Sequence, residues 1–218
     1  MTKHRAFWTT LTKNPFMWGF LIGMTALYAV KELSDRRRGA PPPLVQVGSW
    51  SMRDHAGNSF GSEQLKGKVY IASFFFTRCP SICPKLTESI VDVSKRFKGL
   101  EDKVHFVGVS IDPENDTPDV LAAYMKKYGI EGSNWSYLTG SLKNTYDVVV
   151  KQMKLHVGDR EPLKGQGENA KPDAYEINHV AELVLFDQNG DLRGKFGTDS
   201  VHLAALERAA KLLIERGA

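Results

Sequence analysis

The nine-residue run KVYIASFFF, Lys68 to Phe76, constrains this chain more than any other feature. It offers water no polar face, so it reads as a central strand of a sheet covered on both sides. It ends directly on TRCPSICP, which holds the only two cysteines of the 218 residues, Cys79 and Cys83. Ile82, Leu86, Ile90, Val93 and Phe97 then recur at helical spacing, which predicts a helix within Pro80 to Phe97. A buried strand that turns into a helix places two thiols beside the first N–H groups of that helix. Those donors and the helix dipole favour thiolate over thiol.

Strand and helix alternate from about Leu44 onward. Trp50 to Arg53 and Asn58 to Phe60 flank His55-Ala56-Gly57 as a hairpin, and Val104 to Ile111 is a second apolar strand. Thr117-Pro118-Asp119 opens a helix through Tyr128, with threonine as cap, proline in the first position and an acid in the first turn. A short strand at Tyr137-Leu138 precedes a helix from Ser141 to Gln152. Glu182 to Asp187 and Leu192 to Phe196, joined by Gln188-Asn189-Gly190-Asp191, form a second hairpin, and Val201 to Glu215 is a terminal amphipathic helix. The expected fold class is therefore α/β. A strand–helix–strand unit followed by a hairpin and a final helix is the thioredoxin-like arrangement, with right-handed crossovers. The cysteines fall at the carboxyl end of a central strand, where open α/β sheets place their sites.

Residues four apart share a helix face, so this spacing brings two sulfurs together. Two thiolates can exchange disulfides or hold a soft metal. Thioredoxin-type oxidoreductases use Cys-x-x-Cys and a proline before the strand that faces it. Here the cysteines are one residue further apart, and no proline lies between Pro172 and Glu182. His179 stands in that approach instead, in AYEINHVAELVLF. A neutral imidazole joining two thiolates makes a three-coordinate set suited to Cu(I), and usable by Cu(II) with an added weak ligand. Zinc would want a fourth ligand.

TRCPSICP is similar to the Thr-x-Cys-Pro-x-x-Cys-Pro signature of the Sco/SenC copper-binding proteins. VGVSIDPENDTP resembles the strand of that family ending in Ser-x-Asp-Pro-x-x-Asp-Thr-Pro. NWSYLTG continues the match, and NHVAELVLFDQNGDLRGKFG resembles its histidine-containing strand and hairpin. The resemblance covers about residues 44–216 in the same order. It implies a copper chaperone that supplies the dinuclear CuA centre of cytochrome c oxidase during assembly. Cys79, Cys83 and His179 would be the copper ligands, and the CuA subunit, or another copper or thiol acceptor, the partner. Some members act more as thiol–disulfide reductants, which would make Cys79 and Cys83 a redox-active pair with Cys79 the nucleophile. A copper or redox sensor fits the same residues. Ser81 stands where many members carry Asp between the cysteines, and Asn178 where Asp commonly precedes the histidine. Fewer acids beside the site imply weaker Cu(II) affinity.

A formal charge of +4 does not point to nucleic acid, because the excess is local. The first 40 residues hold seven Lys or Arg and two acids, and the remainder 22 basic and 23 acidic residues. Within that basic start, Phe16 to Val30 is an uncharged run of 15 residues. At ~1.5 Å per residue it covers roughly 22 Å, short of a hydrocarbon layer of about 30 Å unless Leu33 joins and Lys31 snorkels. Ala26 and Ala29 are not spaced as an Ala-x-Ala cleavage site, so an uncleaved single-pass anchor is expected rather than a signal peptide. The expected organisation is a basic tail over 1–15, a transmembrane anchor over 16–33, a basic and proline-rich linker over 34–43, and a copper-binding domain over 44–218. Three and four Lys or Arg on the two flanks do not orient the anchor by themselves. The expected location is the inner membrane with the domain on the periplasmic side, the alternative being the mitochondrial inner membrane facing the intermembrane space. No long presequence is evident, which favours the bacterial setting.

Other candidates have ordinary explanations. A structural disulfide closing so short a loop would add little stability. His105 reads as the polar side of a half-buried strand, and His4, His55, His156 and His202 as solvent-facing. Met125 and Met153 fit helical core spacing. Asp112 and Asp116 flank a turn before a capped helix. Gly158 to Ala174 is a polar excursion just before His179, either a tolerated surface insertion or a mobile arm that delivers the histidine.

Overall fold

The computed structural model describes residues 14–37, 40–162, 175–179 and 181–216, of which the chain from Ala40 onward is one compact unit and the chain before it another. His4, most of the expected basic tail and residues 163–174 of the polar excursion lie outside the described residues.

The first unit is helix α1, Pro15–Arg37. The Asn14 side chain caps it by accepting from the Phe16 N–H at 3.0 Å, with Pro15 in the first turn, where its missing N–H costs nothing. Phe16, Phe20, Ile22, Leu27 and Tyr28 are all exposed. A helix thus forms where an anchor was expected, but no helix among the described residues is long and apolar enough to cross a membrane. Lys31 ends the uncharged run while the helix continues through a charged turn to Arg37.

The second unit is built on a seven-stranded sheet. In chain order its elements are β1 (Ser51–Asp54), β2 (Ser59–Gly61), α2 (Ser62–Leu65), β3 (Val69–Phe75), α3 (Cys83–Lys95), β4 (Val104–Ser110), α4 (Pro118–Lys127), β5 (Trp135–Thr139) and α5 (Leu142–Tyr146). A π-helical turn, Asp147–Gln152, extends α5, and β6 (Val157–Pro162), β7 (Tyr175–His179), β8 (Leu183–Phe186), β9 (Leu192–Phe196) and α6 (Ser200–Arg216) follow. The strand order is β2-β1-β5-β4-β3-β8-β9, and β6 and β7 form a separate two-stranded sheet. Strands β3, β4 and β5 run parallel, from Val69 opposite Val104 to Phe75 opposite Ser110. Every residue of all three is buried, as strands covered on both faces require. The hairpin β8–β9 pairs antiparallel with β3 on one side, and β1–β2 with β5 on the other.

Packing explains several sequence choices in this core. Phe75 sits between Tyr124 of α4 and Tyr137 of β5, at ring distances of 5.1 and 5.0 Å. A Cβ at Gly108 would come within 2.8 Å of the Tyr137 ring, so only glycine lets that ring lie against β4. Helix α4 starts as expected, Thr117 accepting from the Val120 N–H. Met125 and Met153 are core residues, as their spacing indicates.

Four expectations change. Helix α3 begins at Cys83, with Pro84 in its first turn, so Ile82 is its N-cap and is 39% exposed. His105 is buried, because both faces of β4 are covered and its ring packs on Phe60 and meets the Ser136 hydroxyl. Asp112 and Asp116 are also buried, so turn chemistry alone does not account for them. Part of the polar excursion is strand: β6 pairs with β7, and His179 ends β7 rather than standing at the lip of β8.

Candidate dithiol and metal site

Strand β3 delivers the site. Just past its end, the Phe76 carbonyl accepts from the Cys79 N–H at 3.2 Å, closing a tight turn over Thr77 and Arg78. Cys79 therefore lies in a loop and Cys83 opens α3, whose first turn closes with the Leu86 N–H on the Ile82 carbonyl at 3.0 Å. The loop, rather than a shared helix face, brings the sulfurs together. Both cysteines are reduced, with 6% and 1% exposure for Cys79 and Cys83.

The pair shares its protons unequally. The Cys83 thiol donates to the Cys79 sulfur, and this bond outweighs the burial that opposes charge. The Cys83 and Ser81 N–H groups also point at that sulfur, and the Ser81 hydroxyl lies 3.7 Å away. Together they pull the Cys79 thiol down to about 5. Cys83 is pushed up, first because it holds the proton of that bond and then because it is buried. Ser81, where an acid would repel a thiolate, here offers a donor.

Beneath the loop lies Asp116, fully buried and not singled out by sequence reasoning as part of the site. Its carboxylate accepts from the Thr77 N–H at 3.1 Å, the Thr77 hydroxyl at 2.5 Å and the Ser110 hydroxyl at 2.6 Å. Burial raises its pKa against the pull of those bonds, and its charge adds to the rise at Cys83. Asp112 anchors a second set of contacts, to Asn115, Arg160 and Tyr175. The Tyr175 ring stacks on Phe76, with centroids 5.5 Å apart and planes inclined by 13°. Both acids are remote in sequence from the cysteines, and only tertiary folding exposes their role. The alternation of Tyr175, Ile177 and His179 with polar residues was a readable strand signal.

The structure thus brings Cys79 and Cys83 together and places His179 by its backbone, opposite Val157 in the β6–β7 pair. Among the described residues, no three His, Cys, Asp or Glu side chains converge on a metal position, and the His179 side chain lies outside them. The two sulfurs fit a soft metal: they are adjacent, buried and half ionised before any metal arrives.

A mixed α/β sheet with a reduced, hydrogen-bonded dithiol at the carboxyl end of a central strand defines a thioredoxin-like dithiol protein. The SCO1/SenC family profile matches residues 40–213, and the chain belongs to that family. The SCO1 protein homolog of Bacillus subtilis is 31% identical over 150 residues, 68% of this chain and 76% of that protein. A SCO1/SenC family lipoprotein from Bacillus anthracis, at 30% identity and a TM-score of 0.65, aligns with 78% of this chain and 95% of its own. The Bradyrhizobium japonicum ScoI, solved with copper bound, is 25% identical with a TM-score of 0.56 over 76% of this chain and 96% of its own.

Proposed function

We propose that this chain is a copper chaperone that holds its cargo through Cys79, Cys83 and His179 and hands it to the CuA-bearing subunit of cytochrome c oxidase. The observation that carries this reading is the sulfur pair: two buried thiols share one hydrogen-bonded proton, so one sulfur is ionised near neutral pH. Taking up Cu(I) then requires the loss of only the Cys83 proton. The copper-bound Bradyrhizobium relative supports copper as the cargo. His179 would add the nitrogen that Cu(II) needs more than Cu(I) does. Release would proceed by ligand exchange, with His179 or one sulfur leaving as an acceptor thiolate enters. The exposed apolar side chains of α1 would lie in the inner membrane, with Lys31 snorkelling and the domain on the periplasmic side. That a relative is a lipoprotein supports a membrane tether.

The unequal protonation of the pair favours one second reading, a thiol–disulfide reductase. The Cys79 thiolate would attack an acceptor disulfide and expel one acceptor thiolate. Cys83, on losing its proton, would then attack the Cys79 sulfur and expel the other, leaving Cys79–Cys83 oxidised and the acceptor reduced by two electrons.

One experiment separates the two. Reduced full-length protein loaded with Cu(I) is mixed with an apo CuA domain whose cysteines are already thiols, and copper is followed. Stoichiometric transfer is expected. Rapid reduction of an oxidised acceptor with no transfer to the reduced one would replace the chaperone by the reductase. The same protein should stay with membranes through an alkaline wash; its release would end the tether reading.

A further inference from the structure

Asp112, just past the end of β4, carries a carboxylate with no solvent access. Such a group persists only where its charge and lone pairs are matched. Its own loop supplies the Asn115 amide, at 3.0 and 3.2 Å from the two oxygens. The other side-chain partners come from the β6–β7 arm, one from each strand. The Tyr175 hydroxyl of β7 donates to the carboxylate, and the Arg160 guanidinium of β6 pairs with it. Arg160 also reaches Glu114 at 3.2 Å and lies 4.7 Å over the Tyr175 ring. The pairing of β6 with β7 is irregular between Val157 and Arg160, a break of the kind that re-aims a side chain. Tyr175 itself stacks on Phe76, three residues before Cys79. A two-stranded hairpin is marginal alone, so these contacts decide where the arm rests.

We propose that Asp112, Tyr175 and Arg160 are positioning residues that latch the β6–β7 arm to the root of the cysteine loop and so fix the place of His179, four residues beyond Tyr175. This rests on the reading of His179 as a ligand. Undocking the arm would cost a buried carboxylate two of its partners, which keeps the latch closed.

The test uses full-length protein carrying Tyr175→Phe, which keeps the ring and removes the hydroxyl, and Asp112→Asn as a second variant. Hydrogen exchange is measured first, on the reduced, metal-free protein. Amides of 157–161 and 175–179 should exchange about tenfold faster in both variants, while β3, β4 and β5 keep wild-type rates. Cu(I) affinity should stay within about twofold, and Cu(II) affinity should fall about tenfold, with a weakened thiolate-to-Cu(II) charge-transfer band, towards the level of His179→Ala. Wild-type exchange of the arm in both variants overturns the latch. A faster arm with wild-type Cu(II) binding, while His179→Ala has lost it, overturns the positioning role. Unchanged Cu(II) binding in His179→Ala overturns the ligand reading instead, and is distinguishable because the exchange rates involve no copper.

Discussion

At Cys79 a hydrogen bond from a neighbouring thiol outweighs the burial that opposes charge, and this sets what each sulfur can do. Only thiolate reacts with an alkylating agent, so the rate of modification follows the ionised fraction. The rate of Cys79 alkylation by iodoacetamide should rise with pH through an inflection near 5 and be flat by neutrality. Cys83 should stay unreactive over the same range, because its own pKa moves up. Cys83→Ala removes the largest cause of the shift, so the Cys79 inflection should move up towards the ordinary value of about 8.5, while the N–H groups of residues 83 and 81 still favour the thiolate. A wild-type inflection already at that value would mean that the two sulfurs do not share a proton as described. Asp116 acts at the same scale: by gathering the Thr77 N–H and two hydroxyls it fixes the turn that leads into Cys79.

At the scale of elements, β4 shows how a strand's neighbours override its pattern. His105 looks like a residue for water, yet it lies between Phe60, stacked at 5.4 Å, and the Ser136 hydroxyl at 3.0 Å. Burial first, and the charge of Lys68 second, lower its pKa from 6.5 to about 4. The folded state therefore binds this proton less readily than the unfolded chain does. Its contribution to stability is fully present above pH 6.5 and is lost as pH falls towards 4. Between pH 7 and 4.5 the wild type should lose roughly 2–3 kcal/mol more than His105→Gln, which takes up no proton. Urea unfolding of both at the two pH values measures this, and equal losses would refute it. The strands of the seven-stranded sheet and the capped helix α4 were legible because their signals are local: apolar runs, and Thr117 before Pro118. The burial of His105, Asp112 and Asp116 was not, since it depends on residues distant in sequence: Phe60 over His105, Thr77 on Asp116, and for Asp112 an arm that supplies Arg160 and Tyr175. The strand at His179 was half legible, its alternation visible but its partner β6 hidden in polar sequence.

For the whole molecule, a sheet of seven strands has two edges, β2 and β9, and an open edge is a template for another chain. The residues ahead of β1 lie along the second, from Pro41 of the expected linker to Val45 at the start of the expected domain. Leu192 gives its N–H to the Val45 carbonyl at 2.9 Å and takes the Leu44 N–H at 2.7 Å. Arg193, paired with buried Asp187, reaches the Pro41 carbonyl at 2.7 Å. The start of β9 is thus closed by the segment that enters the domain, and Lys195 further along places a charge on the strand. Where a fragment is cut then governs its solubility more than its stability. A fragment beginning at residue 40 should keep the seal, and one beginning at residue 46 should self-associate more strongly as concentration rises, with the same far-ultraviolet spectrum. Sedimentation of the two fragments side by side is the check, and equal association would mean that the seal has no such role. The few residues ahead of β1 thus serve as a stopper against strand exchange between copies, a service the domain loses if it is trimmed to its globular outline.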